Sequence, residues 1–220
     1  MPYYGHKAKK ISIWNYLPNL TLPNERHLHS FIKRLAPDAV IVDIGSGGRA
    51  LAPNIITFDK FVTENTRVVG DIHQLPFEDS SIDCIICTGT LEHIEDPWKA
   101  SREFHRVLKK KGYCYIAVPF MQGYHPDPHD YWRFTLEGLE VLFKDFTTIE
   151  KGVLQGSGSG LSWALIDFFR AFSDNKYLSE ALGIVARIVF LWVKFFDIIL
   201  KKKYNNKLFA SGNYFIGEKE

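Results

Sequence analysis

Histidines, carboxylates and an arginine crowd two short stretches of this chain, Leu91-Glu92-His93 and Tyr124–Thr135, YHPDPHDYWRFT. A histidine with a carboxylate beside it can take a proton from an attacking hydroxyl near neutral pH, which makes His93, His125, His129 and Asp130 candidates for general-base work. Tyr131, Trp132 and Phe134 offer flat faces on which a sugar or aromatic ring can stack, and Arg133 can hold a phosphate or carboxylate. The same loop also reads as a brace, with Asp130 paired to Arg133 and the aromatics in the core. A third stretch, Val40–Ala50 (VIVDIGSGGRA), is an apolar run that ends in Asp43 and turns through Gly45-Ser46-Gly47-Gly48. Such a run reads as a buried parallel strand opening into a ligand loop, where glycines let the backbone come close to a bound molecule.

These residues need elements to carry them. Leu28, Phe31, Ile32 and Leu35 recur at helical spacing behind Asn24, and Pro37-Asp38 ends that helix. Strands follow at Val40–Ile44, Ile55–Phe58, Val68-Val69 and Ile82–Cys87. The next helix has Asp96 at its N-cap, Pro97 at its first position, and Lys109–Lys111 and Gly112 at its C-terminus. Tyr113–Val118 is a fifth strand, Thr135 caps another helix, and Thr147–Val153 and Asn213–Gly217 are further strands. Alternating strands and helices joined by short loops mean an α/β sheet, mostly parallel. Gln155–Gly160 reads as a Gly/Ser hinge, after which Leu161–Lys203 turns strongly apolar. The expected organisation is an arm over 1–23, a core over 24–153, a hydrophobic helical insertion over 154–212, and a last strand and tail over 213–220.

Two families share the glycine spacing. Gly45-x-Gly47-x-x-Ala50 fits a dinucleotide fingerprint, but Pro53 truncates the following helix and Asp59 comes too early for that motif. In order and spacing, Asp43–Gly47, Asp59, Gly70–Phe77, Asp79–Asp83 and Leu91-Glu92-His93 resemble the type 11 group of class I S-adenosylmethionine (SAM)-dependent methyltransferases. The resemblance implies a Rossmann-like seven-stranded sheet with helices on both faces, its last strand antiparallel, and SAM across the carboxyl ends of the strands. It implies that Asp43 and the backbone of Gly45, Ser46 and Gly47 meet the methionyl group, and that Asp59 accepts both ribose hydroxyls. It further implies that Asp71 and the Ile72 N–H read the adenine, with Thr88 also at the cofactor. In some O-methyltransferases Glu-x-x-Glu-His binds a divalent cation; here the first Glu position holds Gly89, so no metal is assigned. His125–Asp130 is a poor metal motif as well, its backbone constrained by two prolines. The Tyr124–Thr135 block resembles one in bacterial methyltransferases of surface-glycan pathways. That resemblance implies methyl transfer to a small-molecule or glycan hydroxyl. A lipid or quinone acceptor at a membrane, and a catalytically silent subunit binding a partner through residues 161–203, are the alternatives.

Composition is that of a globular protein: 220 residues, 46% hydrophobic, 24% charged, net charge +2. A balance so near neutrality does not call for nucleic acid. Cys84, Cys87 and Cys114 suit a reducing compartment, and Cys84 and Cys87 fall on opposite faces of a strand, as buried thiols rather than half a zinc site. No secretory signal opens the chain, and a cytoplasmic location is expected. Ile184–Leu200 approaches membrane-spanning length, but Arg187, Lys194 and Asp197 interrupt it. It is expected as a helix packed on the domain, in a homodimer, or lying at the inner face of the membrane.

Overall fold

The computed structural model describes residues 24–220; the expected arm over 1–23 lies outside the described residues. Helix α1 spans Asn24–Ile32, followed by strands β1 (Ile41–Ile44), β2 (Ile56–Asp59), β3 (Val68–Val69) and β4 (Ile82–Thr88). A single 3-10 turn, Leu91–His93, precedes α2 (Pro97–Val107), β5 (Leu108–Pro119), α3 (Leu136–Leu142) and β6 (Thr147–Gln155). Helices α4 (Ser157–Arg170), α5 (Lys176–Val189) and α6 (Phe196–Leu200) then lead to β7 (Gly212–Glu218).

The seven strands form one sheet in the order β3-β2-β1-β4-β5-β7-β6. The first five are parallel, and β7 runs antiparallel between β5 and β6. This is the seven-stranded Rossmann-like α/β architecture, with β1 and β4 central and buried on both faces, which is why they read as largely apolar runs. Leu28 and Phe31 of α1 pack with Ile41, Cys84, Ile86 and Tyr115 on one face. Ala100, Phe104 and Val107 of α2 and Leu139 and Leu142 of α3 pack with Val42, Ile85, Cys87 and Cys114 on the other. Cys84 and Cys87 therefore lie on opposite faces, all three thiols buried and free.

The caps fall where the sequence puts them. Asp96 accepts from the Lys99 N–H at 2.9 Å, and Thr135 Oγ1 accepts from the Gly138 N–H at 2.9 Å. Three expectations need correction. Lys109–Lys111 and Gly112 belong to β5 and not to the end of α2, because Leu108 already pairs with Ile82 and Lys109 Nζ sits 2.8 Å from Asp83 at the strand edge. The supposed hinge at Gln155–Gly160 is instead the end of β6 and the first turn of α4, capped by the buried Asp197, whose carboxylate accepts from the Gly158 and Ser159 N–H groups at 2.6 and 3.0 Å. A Cβ at Gly158 would stand 2.6 Å from the Val193 carbonyl, so this approach needs glycine. Finally, Ile184–Leu200 is not one helix. It breaks after Val189 into a 3-10 stretch, Leu191–Phe195, and the short α6, because Lys194 and Asp197 turn inward. Among the described residues no helix is long and apolar enough to cross a membrane.

Candidate active site

The loop after β1 is tied to the end of β2. The N–H groups of Gly45 and Ser46 donate to the Phe58 carbonyl, and the Gly47 N–H donates to Asp59 Oδ2 at 2.7 Å. Asp59 Oδ1 accepts from the Phe61 N–H at 2.9 Å. Gly45 holds φ +71°, and a Cβ there would collide with Thr90, so this turn is built for the chain to pass close beneath the segment after β4. Above Gly47 a Cβ would meet nothing within 4 Å, which marks open space over the loop. Ser46 is buried and its Oγ has no hydrogen-bond partner.

Asp43, wholly buried, does not present a bare carboxylate. Arg49 grips both of its oxygens, Nη2 to Oδ1 at 2.7 Å and Nε to Oδ2 at 3.2 Å, and also donates to Thr88 Oγ1 at 2.8 Å. Burial pushes the Asp43 carboxyl up, and Arg49 opposes the shift. The guanidinium, about one-third exposed, is therefore the charge offered at this end of the loop, with the Asp43 carboxylate behind it. Sequence reasoning missed Arg49; an acid answered by an arginine just past the glycine turn was the available signal. Asp71, after β3, is exposed; its Oδ1 accepts from the His73 N–H and faces His73 Nδ1, both at 2.8 Å, and these bonds hold its carboxyl below the usual range. Ile72 is buried beside it.

The second half of the site is built on the turn after β4. Glu92 is 2% exposed, with Oε2 unpartnered. The Nε2 atoms of His93 and His125 each lie 3.8 Å from Glu92 Oε1. The loop 120–135 is docked onto this turn through the backbone: Tyr131 and Trp132 N–H donate to the Glu92 carbonyl, and Trp132 Nε1 donates to the Ile94 carbonyl at 2.9 Å. Burial, with the Glu92 and Asp43 carboxylates adding to it, pushes the Cys87 thiol up.

Within the loop, Asp130 and Arg133 pair through two contacts, 2.5 and 2.7 Å, and Asp130 Oδ2 also accepts from the His125 N–H. Arg133 further donates to the carbonyls of Gln122, Gly123 and Trp132. Its N–H groups are thus engaged within the protein, and the Arg133 bond holds the Asp130 carboxyl down to about 2. Arg133 and Asp130 brace the loop, the second of the two readings that the sequence offers for this pair. Trp132 packs against Trp98 and stacks on Phe134, itself buried, so these two rings line the core and not an open face; Tyr131 remains exposed. His129 contributes only its carbonyl, which accepts from His93 Nδ1, while its ring lies out against Tyr131. The loop therefore brings His125, and not His129, to Glu92 and His93.

Residues 28–116 are matched by the model of a family described as a methyltransferase domain. The chain is 35% identical over 125 residues to a demethylmenaquinone methyltransferase of Thermotoga maritima, a match that covers 57% of this chain and 50% of that protein. The chain spans half or less of the length of the curated relatives it matches. Among solved structures it is similar to a putative sarcosine dimethylglycine methyltransferase of Galdieria sulphuraria, with TM-score 0.54 and 16% identity over 94% of this chain and 85% of that one. It is also similar to the [4+2]-cyclase SpnF, with TM-score 0.55 and 16% identity over 89% of this chain and 80% of that one. Strand order and the glycine loop give a Rossmann-like sheet, and within it residues 28–116 match the methyltransferase-domain model.

Proposed function

We propose that this protein is a SAM-dependent methyltransferase. The observation that carries the reading is the row of groups at the carboxyl ends of β1, β2 and β3, the edge at which open α/β sheets take ligands. The residues fit that cofactor. Open space lies over Gly47, each Asp59 oxygen keeps a lone pair beyond its one backbone bond, and Asp71 is exposed. Asp59 would take the ribose hydroxyls, Asp71 and the Ile72 N–H the adenine, and the Arg49 guanidinium the methionyl carboxylate. SAM supplies a methyl group on a cationic sulfonium. The chain's part is to orient an acceptor oxygen, exclude water and handle a proton at the Glu92–His93–His125 cluster.

The acceptor is read as a hydroxyl, and one observation favours a membrane-held one, either a lipid or quinone or a lipid-linked glycan precursor. Val185, Ile188, Trp192, Phe196, Ile198 and Ile199 are exposed, and the exposed Lys201–Lys203 follow directly. An apolar face with a basic border complements an anionic lipid surface. α4 also reaches the loop: the Asp167 carboxylate packs against Gly123 where a Cβ would stand, linking this layer to the site. The demethylmenaquinone methyltransferase relative points the same way for that protein.

Calorimetry with SAM and with NADH tests the cofactor: SAM alone should bind, and NADH binding without SAM would overturn the reading. Labelled SAM with isolated membranes, against soluble sugars, tests the acceptor. Sedimentation with vesicles containing phosphatidylserine should capture the wild type but not Ile198→Asp/Ile199→Asp. Capture of neither, with a dimer that the double variant splits, would assign the face to a second copy instead. Binding of SAM without any turnover would favour a silent subunit.

A further inference from the structure

We propose that Glu92, His93 and His125 form a binding site for one divalent transition-metal ion. Among the described residues these three are the group whose ligand atoms converge, all within 4.8 Å of one another. The orientation of the two rings is fixed from behind. His93 Nδ1 lies 2.5 Å from the His129 carbonyl and His125 Nδ1 lies 2.8 Å from the Gly123 carbonyl. A carbonyl only accepts, so each Nδ1 carries the hydrogen and each neutral ring keeps its lone pair on Nε2. Arg133 Nη2 also approaches His125 Nδ1, at 3.2 Å, but it has nearer acceptors in Asp130 Oδ2 and the Gly123 carbonyl, at 2.7 and 2.9 Å. Backbone carbonyls bound to Nδ1 are the usual way in which a protein orients metal-ligating imidazoles.

Both Nε2 atoms face one carboxylate oxygen at 3.8 Å, beyond hydrogen-bond distance. The other Glu92 oxygen is buried and unpartnered. A buried carboxylate oxygen with no donor is costly, and a cation between the three groups offsets that cost. Metal–nitrogen bonds of about 2.0–2.1 Å require donors roughly 3.0–3.4 Å apart, so the cluster, its ligand atoms now within 4.8 Å of one another, must contract on binding. His125, on the loop and partly exposed, can make that movement. Two imidazoles and one carboxylate select a borderline ion such as Zn2+, Mn2+, Fe2+ or Co2+ over Mg2+ or Ca2+. Three protein ligands leave positions open for water and an acceptor oxygen.

The site's catalytic role rests on the methyl-transfer reading. Held by Glu92, His93 and His125, the ion would supply Lewis-acid activation of an acceptor hydroxyl: the proton would pass to water, the oxygen would bond the methyl carbon, and the S–CH3 electron pair would stay on sulfur. The imidazoles then act as ligands and not as the base.

Full-length protein freed of metal by chelation, titrated with Co2+ and then competed with Zn2+, tests the site by calorimetry and visible absorption. One equivalent of Co2+ should bind, with a d–d spectrum of nitrogen and oxygen ligation that Zn2+ abolishes. His125→Ala and the near-isosteric Glu92→Gln should each weaken binding at least tenfold, and His129→Ala should leave it unchanged. Absence of saturable binding to folded wild type, retention in both cluster variants, or an equal loss in His129→Ala would overturn the site. If the cluster variants do not fold, wild-type stoichiometry and spectrum decide. SAM calorimetry on the same preparations separates the two readings: metal binding without SAM binding removes only the methyl-transfer role, and SAM binding without metal binding removes only the site.

Discussion

Arg49 lies across Asp43 with its guanidinium on both carboxylate oxygens, so a wholly buried acid at the end of β1 is reached from the cleft only through an arginine. Removing the arginine leaves a buried charge without its partner. Since Arg49 is itself one-third exposed, Arg49→Ala should cost about 2–3 kcal/mol, less than a fully buried pair would. Denaturant melts should show that loss, and calorimetry should show weaker SAM binding. Unchanged affinity in a folded variant would remove Arg49 from the cofactor site.

Asp59 holds the glycine loop as well as the proposed ribose. Asp59→Ala should weaken SAM binding by about 1.5–3 kcal/mol and also lower stability, because the Gly47 and Phe61 N–H groups lose their acceptor. Asp59→Asn, which keeps an acceptor, should recover more of the stability than of the affinity. Equal recovery of both would argue that the acid serves the turn alone.

Arg133 is a positioning residue for His125. Arg133→Ala should destabilise the protein by about 3 kcal/mol, since Asp130 is left nearly fully buried and unpaired. It should also lower turnover while SAM affinity holds. Arg133→Lys cannot reproduce the fork and should rescue little. A rise in the acceptor Michaelis constant with stability unchanged would instead restore the anion-holding role.

Lys194 is buried with its Nζ unpartnered, and burial pulls its pKa down to about 8, opposed by Asp197. Below pH 8 the charged amine is present in both folded and unfolded chains and works against folding. Between about pH 8 and 10.5 the unfolded chain binds more protons than the folded one, so stability should rise with pH through this window. Lys194→Met should stabilise the protein at pH 7 by up to about 3 kcal/mol and flatten that rise. Melts across pH 7–10.5 check both; a steeper rise in the variant would mean that another group titrates there.

The sheet was legible because its signals are local. Buried strands read as apolar runs, Asp96-Pro97 and Thr135 announce helices, and the three-residue spacing of Cys84 and Cys87 places them on opposite faces. What escaped was pairing through space. Asp43–Arg49 spans a turn whose shape sequence does not supply, and His125 reaches Glu92 only because the Asp130–Arg133 pair folds the loop back onto the turn after β4. The Gly/Ser run looked like a hinge because its partner, Asp197, lies far along the chain. Ile184–Leu200 likewise has helical periodicity throughout, and only the inward turn of Lys194 and Asp197 breaks it.

The placement of β7 bears on how the chain assembles. β6 has no partner in the sheet except β7, which also forms the boundary of β5. A chain emerging from the ribosome can pair β1 through β5 as they appear, yet β6 must wait with both edges open until Gly212–Glu218 has been made. Pairings of such long sequence separation close late and slowly. Nascent chains stalled between synthesis of β6 and β7 should therefore be the most aggregation-prone form of this protein.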